Sequence, residues 1–185
     1  MFDKKGVIHT EKKVWLIMGS DSDLALMASA AKILEDFSVP YEMTIASAHR
    51  CTDYVIEHAA ALSKQGFGVV IAAAGMAAHL PGVIAASTAL PVIGVPLASG
   101  PLQGKDALYA IVQMPTGVPV ATVAINGVKN AAYLAVQILA LSNSRLAEAF
   151  THYKSNLAEE VLAKNEKLAK IGYAAYLQEK GVTSI

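Results

Sequence analysis

Cysteine is almost missing from this chain: Cys51 stands alone among 185 residues. One thiol excludes an intramolecular disulfide and any cysteine-based zinc cluster, and the expected setting is reducing and cytoplasmic. An excess of charge of one sign is missing too. The 15 basic residues balance 15 acidic ones, so composition gives no electrostatic footprint for nucleic acid or for a membrane surface. The longest apolar stretches meet a Gly, Pro, His or Ser before reaching about 18 residues, which predicts no transmembrane helix. The opening "MFDKKGVIHTEKK" lacks the apolar centre of a secretory signal. No Walker A loop, GxGxxG fingerprint or GxSxG elbow is present. His49 and His79 have no third ligand at metal-binding spacing, so a metal is not expected. There is no internal repeat, low-complexity tract or interdomain linker.

Charge of any kind is scarce. Charged residues make up 16% of the chain against 54% hydrophobic ones, with a mean hydropathy of +0.42. Between residues 69 and 141 the ionisable side chains with basic or acidic groups are His79, Lys105, Asp106 and Lys129. A lone domain of this size usually carries a more charged surface, so other subunits are expected to cover part of it, in an intimate homo-oligomer.

What is present alternates between strand and helix. "KVWLIMG" (residues 13–19) is a short apolar run ending at a Gly-Ser turn, as in a buried parallel strand. Residues 21–37 place Leu24, Met27, Ala31 and Leu34 on one helical face, before Pro40. "YEMTIA" is the second strand; residues 52–65 are a helix that Gly66 caps. "GVVIAAAG" is the third strand, followed by a proline-interrupted helix over residues 76–88. "PVIGVP" and "PVATVAI" are the fourth and fifth, with the helix "GKDALYAIVQ" and the turn "MPTGVP" between them. Residues 128–141 form an Ala-rich helix. Residues 144 to about 178 are helical, more charged and broken near Gly172. Strands alternating with helices at this spacing imply βαβ units and one parallel sheet, whose ligands bind beyond the carboxyl ends of the strands.

Three polar loops fall at such ends. "GSDSD" (residues 19–23) puts a glycine turn and hydroxyls before a helix, where backbone N–H groups and the helix dipole hold anions. Ser20 or Asp21 equally serves as an ordinary helix cap. Asp23 is placed to accept from sugar hydroxyls or to complement the dipole. In "SAHR" (residues 47–50), Arg50 offers a planar fork for phosphate, Ser47 a hydroxyl and His49 an imidazole of the type that moves protons near neutral pH. In "AGMAAHLPG" (residues 74–82), Gly75 permits close backbone approach, Ala77 and Ala78 leave room for a flat ligand, and Pro81 fits an early helix turn. His79 is either a second proton carrier or a wall residue, with the wall favoured. Met114 and Pro115 are candidates for an apolar pocket floor. From the residues alone the reading is a phosphate-bearing small-molecule site with a histidine proton carrier.

The motifs reach further together. "GSDSD", "SAHR", "AGMAAHLPG", "LPVIGVP", "IVQMPTGVPVATVAI" and "KNAAYLAVQILAL" stand in the order and spacing of the phosphoribosylaminoimidazole carboxylase catalytic-subunit family. The chain resembles that family over about residues 13–141, and within it the class I, N5-carboxyaminoimidazole ribonucleotide mutase type. Class II members, which carboxylate aminoimidazole ribonucleotide with free CO2, typically show "SAHK" and a "GRSNGL"-type loop, where this chain has Arg50 and "AAHLPG". The resemblance implies reversible transfer of a carboxylate from the exocyclic N5 to ring carbon C4 in de novo purine synthesis, without ATP, metal or organic cofactor. It implies that Ser20, Ser47 and Arg50 hold the phosphate, with Ser22 and Ala48 beside them, and that Asp23 binds the ribose. It makes Ala74, Gly75, Ala78, His79 and Leu80 the wall around imidazole and CO2, and His49 the catalytic proton carrier. A homo-octamer and a functional link to N5-carboxyaminoimidazole ribonucleotide synthase follow from the same likeness.

The expected fold is three-layer αβα around a central parallel sheet, flavodoxin-like, with a C-terminal helical extension. An N-terminal arm takes residues 1–12, the catalytic domain 13–143 and the extension 144–185, packing on the domain or a neighbouring subunit. Met76 stands where the family commonly has glycine, narrowing or greasing its loop. Cys51 replaces a usual threonine, "AINGVKN" is a shortened connection, and the tail beyond about Ala163 is longer. Two other readings compete: the direct CO2-dependent carboxylase, and a non-catalytic module that binds a phosphoribosyl ligand.

Overall fold

The structure is a computed structural model and describes residues 12–181. Apart from Lys12, the expected N-terminal arm lies outside the described residues. Strand β1 (Lys13–Met18) is buried from Val14 onward. A 3-10 turn (Asp21–Asp23) leads into α1 (Leu24–Asp36), and β2 (Tyr41–Ile45) follows. Helix α2 (Thr52–Ala61) passes through a 3-10 segment (Leu62–Gln65) into Gly66, whose φ of 84° provides the left-handed cap. Then come β3 (Phe67–Gly75), α3 (Leu80–Ser87), β4 (Val92–Leu97), α4 (Lys105–Val112), β5 (Ala121–Thr122) and α5 (Val128–Ala140).

All neighbouring strands pair in parallel, in the order β2-β1-β3-β4-β5. This is a flavodoxin-like sheet, in which the strand order reverses between β1 and β3. Side chains alternate across it. Trp15 and Ile17 with Val70, Ala72 and Ala74 pack against Val55, Ala59, Leu62, Ile84 and Ile111 of the following helical segments. Val14, Leu16, Met18, Val69, Ile71 and Ala73 supply the opposite face, where α1 and α5 pack on each other and on the sheet. Trp15, buried on one side of β1, satisfies its indole by donating from Nε1 to Thr44 Oγ1 on β2 at 2.9 Å.

Four expectations need correcting. Leu24, placed on the buried face of α1, is 42% exposed while Met27, Ala31 and Leu34 are buried; the 3-10 turn rotates the entry to the helix. The third helix begins at Leu80 rather than residue 76, because Met76 takes a φ of 53° that no right-handed helix contains. The fifth strand shrinks to two residues: β4 has a short edge partner there, pairing only at Ile93 and Gly94. The first helix is shorter than residues 21–37 by the same 3-10 turn.

The chain forms two compact units, one through Leu146 and one from Ala147. Helix α6 (Ser144–Glu179) starts where Asn143 Oδ1 accepts from the Leu146 N–H at 3.1 Å. Gly172, with φ 73° and ψ 163°, breaks it where the composition predicts. Around that break Lys167 pairs with Glu179 and its ammonium lies 5.9 Å from the Tyr176 ring centroid. Among the described residues no helix is long and apolar enough to cross a membrane.

Candidate functional site

Four strand ends build the site. After β1, Ser20 turns the chain with φ −150° and ψ 153° and accepts through its Oγ from the Ser22 N–H at 3.3 Å. The ordinary capping role of Ser20 is therefore real, and the same residue still faces the cavity. Ser22 Oγ donates to Ser20 Oγ at 2.9 Å. Partial burial raises the Asp23 carboxyl above its ordinary value, and the Asp21 charge adds to this; hydrogen bonds from Ser22 and from the Ser20 backbone oppose it.

After β2 the chain makes a tight turn that presents two functional side chains. The Cys51 N–H donates to the Ser47 carbonyl at 3.0 Å. Cys51 Sγ accepts from the Ser47 N–H at 3.1 Å and lies 3.2 Å from the Ser47 carbonyl oxygen. His49 and Arg50 ride the outside of this turn. Arg50 Nη2 donates to the Gly19 carbonyl at 3.1 Å, tying the β2 loop to the β1 loop and using one of five guanidinium N–H groups.

After β3, His79 precedes α3. Its Nδ1 lies 2.8 Å from His49 Nε2, with the rings edge to face at 80°. At that distance one nitrogen donates and the other accepts, so the two facing atoms share a single proton. The sequence favoured a wall role for His79; the fold makes it the hydrogen-bond partner of His49.

These loops form a cavity of about 520 Å³ lined by Ser20, Ser22, Asp23, Ser47, Ala48, His49, Arg50, Ala74, Gly75, His79 and Leu80. The volume lies in the range of small-molecule sites. Its lining combines hydroxyls and a guanidinium with paired imidazoles and apolar walls. One predicted wall residue is misplaced: Ala78 is 1% exposed and belongs to the core behind the site, because the left-handed turn at Met76 directs it inward. Met114 and Pro115 do not line the cavity; the Met114 thioether sits against α3, 3.1 Å from where a Cβ on Gly82 would be. Sequence reasoning passed over Ser99, which lines the site from the loop after β4. The rule that found the other loops, a polar residue just past a strand's carboxyl end, points to it too. Among the described residues no group of three or more His, Cys, Asp or Glu could hold a metal ion.

A family model for AIR carboxylase matches residues 13–160, which include every loop of the site. The chain belongs to the AIR carboxylase family. Among its relatives is the N5-carboxyaminoimidazole ribonucleotide mutase of Thermotoga maritima, 52% identical over 91% of this chain and 98% of that one. The phosphoribosylaminoimidazole carboxylase of Candida albicans is 53% identical over 90% of this chain but only 29% of its own length. Among solved structures, Treponema denticola PurE superposes with a TM-score of 0.76 at 28% identity, over 88% of this chain and 99% of that one. The chain therefore shares the fold of that structure.

Proposed function

We propose that this AIR carboxylase family member is an N5-carboxyaminoimidazole ribonucleotide mutase, an isomerase that moves a carboxylate from N5 to C4 in purine biosynthesis. The observation that carries the reading is the length of the likeness: the chain spans 98% of a mutase at 52% identity. Arg50 and "AAHLPG" favour the mutase over direct carboxylation of aminoimidazole ribonucleotide by CO2. The hydrogen-bonded imidazoles in the cavity favour catalysis over a module that merely holds a phosphoribosyl ligand.

The reaction asks little of a protein beyond one proton and a closed space. Protonation of N5 lets the N–C bond break, its electron pair returning to nitrogen as the carboxylate leaves as neutral CO2. The amino group then pushes electrons to C4, which attacks CO2 and forms the new C–C bond. Loss of the C4 proton restores the aromatic ring. His49 gives the first proton and takes the second, so it ends as it began. His79 hydrogen-bonds it during the exchange. Ser20, Ser47 and Arg50 anchor the phosphate, Ser22 and Ala48 complete that end, Asp23 takes the ribose, and Ala74, Gly75 and Leu80 shape the wall. No ATP, metal or organic cofactor enters this scheme.

The test is turnover of both candidate substrates, followed through the ring chromophore. Conversion of the N5-carboxylated nucleotide without ATP or added bicarbonate is expected. Use of aminoimidazole ribonucleotide at low bicarbonate, with none of the N5-carboxylated compound, would reassign the chain to the direct carboxylase; binding without turnover of either would make it a module.

The same reading extends to assembly: a cytoplasmic homo-octamer, supplied with its labile substrate by N5-carboxyaminoimidazole ribonucleotide synthase. In it, residues 13–143 form the catalytic domain and residues 144–185 an extension that packs on the domain or on a neighbouring subunit. Exposed Tyr109, Leu102 and Leu141 support a covered surface. Light scattering should give several times 19.4 kDa, and a stable monomer at micromolar concentration would sink the assembly.

A further inference from the structure

Met76 holds a conformation that its side chain makes costly. Its φ is 53°, in the left-handed region where a Cβ crowds the backbone and glycine is at ease. It is nonetheless a methionine, 54% exposed, at the point where β3 gives way to its loop, and it lines the cavity. The side chain has a definite seat. A Cβ built on Gly100, in the loop after β4, would lie 3.3 Å from Met76 Cγ, 3.6 Å from Sδ and 3.7 Å from Cε. The methionine therefore lies along the Gly100 backbone. Beside it, Gly75 approaches Ser99 so closely that a Cβ there would fall 1.8 Å from Ser99 Oγ. The β3 and β4 loops therefore meet at a seam on the cavity wall, where Gly75, Met76 and Ser99 all line the site.

A glycine at 76 would adopt this backbone freely and leave the seam bare. We infer that Met76 is a retention residue for the transferred group: an apolar cover that keeps CO2 in the site between its release from N5 and its capture by C4. The inference rests on the mutase reading and deepens it. CO2 is small and neutral, so no charge in the cavity can hold it; only walls can. Through an uncovered seam it would diffuse out and mix with the dissolved pool, and the group would be lost to the reaction. A flexible, apolar thioether suits an irregular gap between two loops.

The test uses substrate labelled in the N5 carboxylate, in solution equilibrated with unlabelled CO2, and compares the parent protein with Met76→Gly and Met76→Leu. Label kept in the C4-carboxylated product measures retention, a quantity that a purely structural role would not move. Met76→Gly should lose label several-fold more than the parent while its melting temperature rises by about 2–4 °C as strain is relieved. Met76→Leu should retain label nearly as the parent does. Equal retention by all three, in a protein that turns the substrate over, overturns the inference and leaves the mutase standing. Washout by Met76→Leu as large as that of Met76→Gly denies the apolar cover, and a Met76→Gly protein no more stable than the parent denies the strain; either overturns it. No turnover by the parent overturns the mutase reading, and the inference with it.

Discussion

Strand β3 and the loop that leaves it are separated by a peptide bond and obey different rules. From Val69 to Ala74 every side chain is buried, and Val70 to Ala73 are paired on both sides by β1 and β4. From Met76 to His79 the chain leaves the sheet, takes a left-handed residue, exposes two others and brings an imidazole against a partner thirty positions away. The strand is arranged for the stability of the fold. The loop accepts strain, and what it gains is a shaped cavity. The difference teaches that conformational cost gathers at the carboxyl edge of the sheet, where the site is.

Substitutions can break that contrast. The largest effect belongs to the strand. Ile71, wholly buried, should cost about 2–5 kcal/mol on Ile71→Ala, the usual range for such a cavity, read as a shift of the denaturation midpoint. A loss under about 1 kcal/mol would mean that this face of β3 repacks freely, and the contrast with the loop would fail on the strand side.

Next comes the loop's chemistry. His49→Asn should leave ligand affinity within about tenfold, roughly 1.4 kcal/mol, and lower turnover about a hundredfold or more, with little change in melting temperature because His49 is exposed. Calorimetry and turnover on the same preparation decide it. His79→Asn should be milder; equal losses from the two would make the pair one catalytic unit, and near-normal turnover by His49→Asn would remove His49 from the mechanism.

The smallest effect sharpens the comparison by its sign. Because the native fold raises the Asp23 carboxyl above its ordinary 3.8, the folded chain binds that proton more tightly than the unfolded chain. The contribution to stability is therefore fully present below the ordinary value and is lost as pH rises through the native one. Asp23→Asn should melt slightly higher than the parent at neutral pH, with the gain vanishing in acid, while ligand binding weakens. A variant that melts lower at neutral pH would show that the carboxylate stabilises the fold.

Local pattern made much of this molecule readable. Three of the strands, β1, β3 and β4, announce themselves as short apolar runs bounded by turn residues, as buried parallel strands do. Gly66 and Gly172 marked their breaks because glycine reaches left-handed backbone without penalty. The start of α3 was not readable, since a methionine in that same conformation leaves no trace in composition. Ala78 looks like a wall in the sequence and is core in the fold for the same reason. Ser99 passed unnoticed because its loop carries no charged residue or histidine to draw attention to it.

The sequence by itself determined the alternation of strand and helix, the parallel sheet and the polar loops at strand ends, because hydrophobic period and turn chemistry act over a few residues. It also determined the family, through motifs whose order is a property of the chain. Only the tertiary structure decided which loops meet. The reversal of strand order between β1 and β3 brings Arg50 to the Gly19 carbonyl and His49 to His79. Contacts over such separations depend on how the sheet is wound, and no window along the chain contains that information.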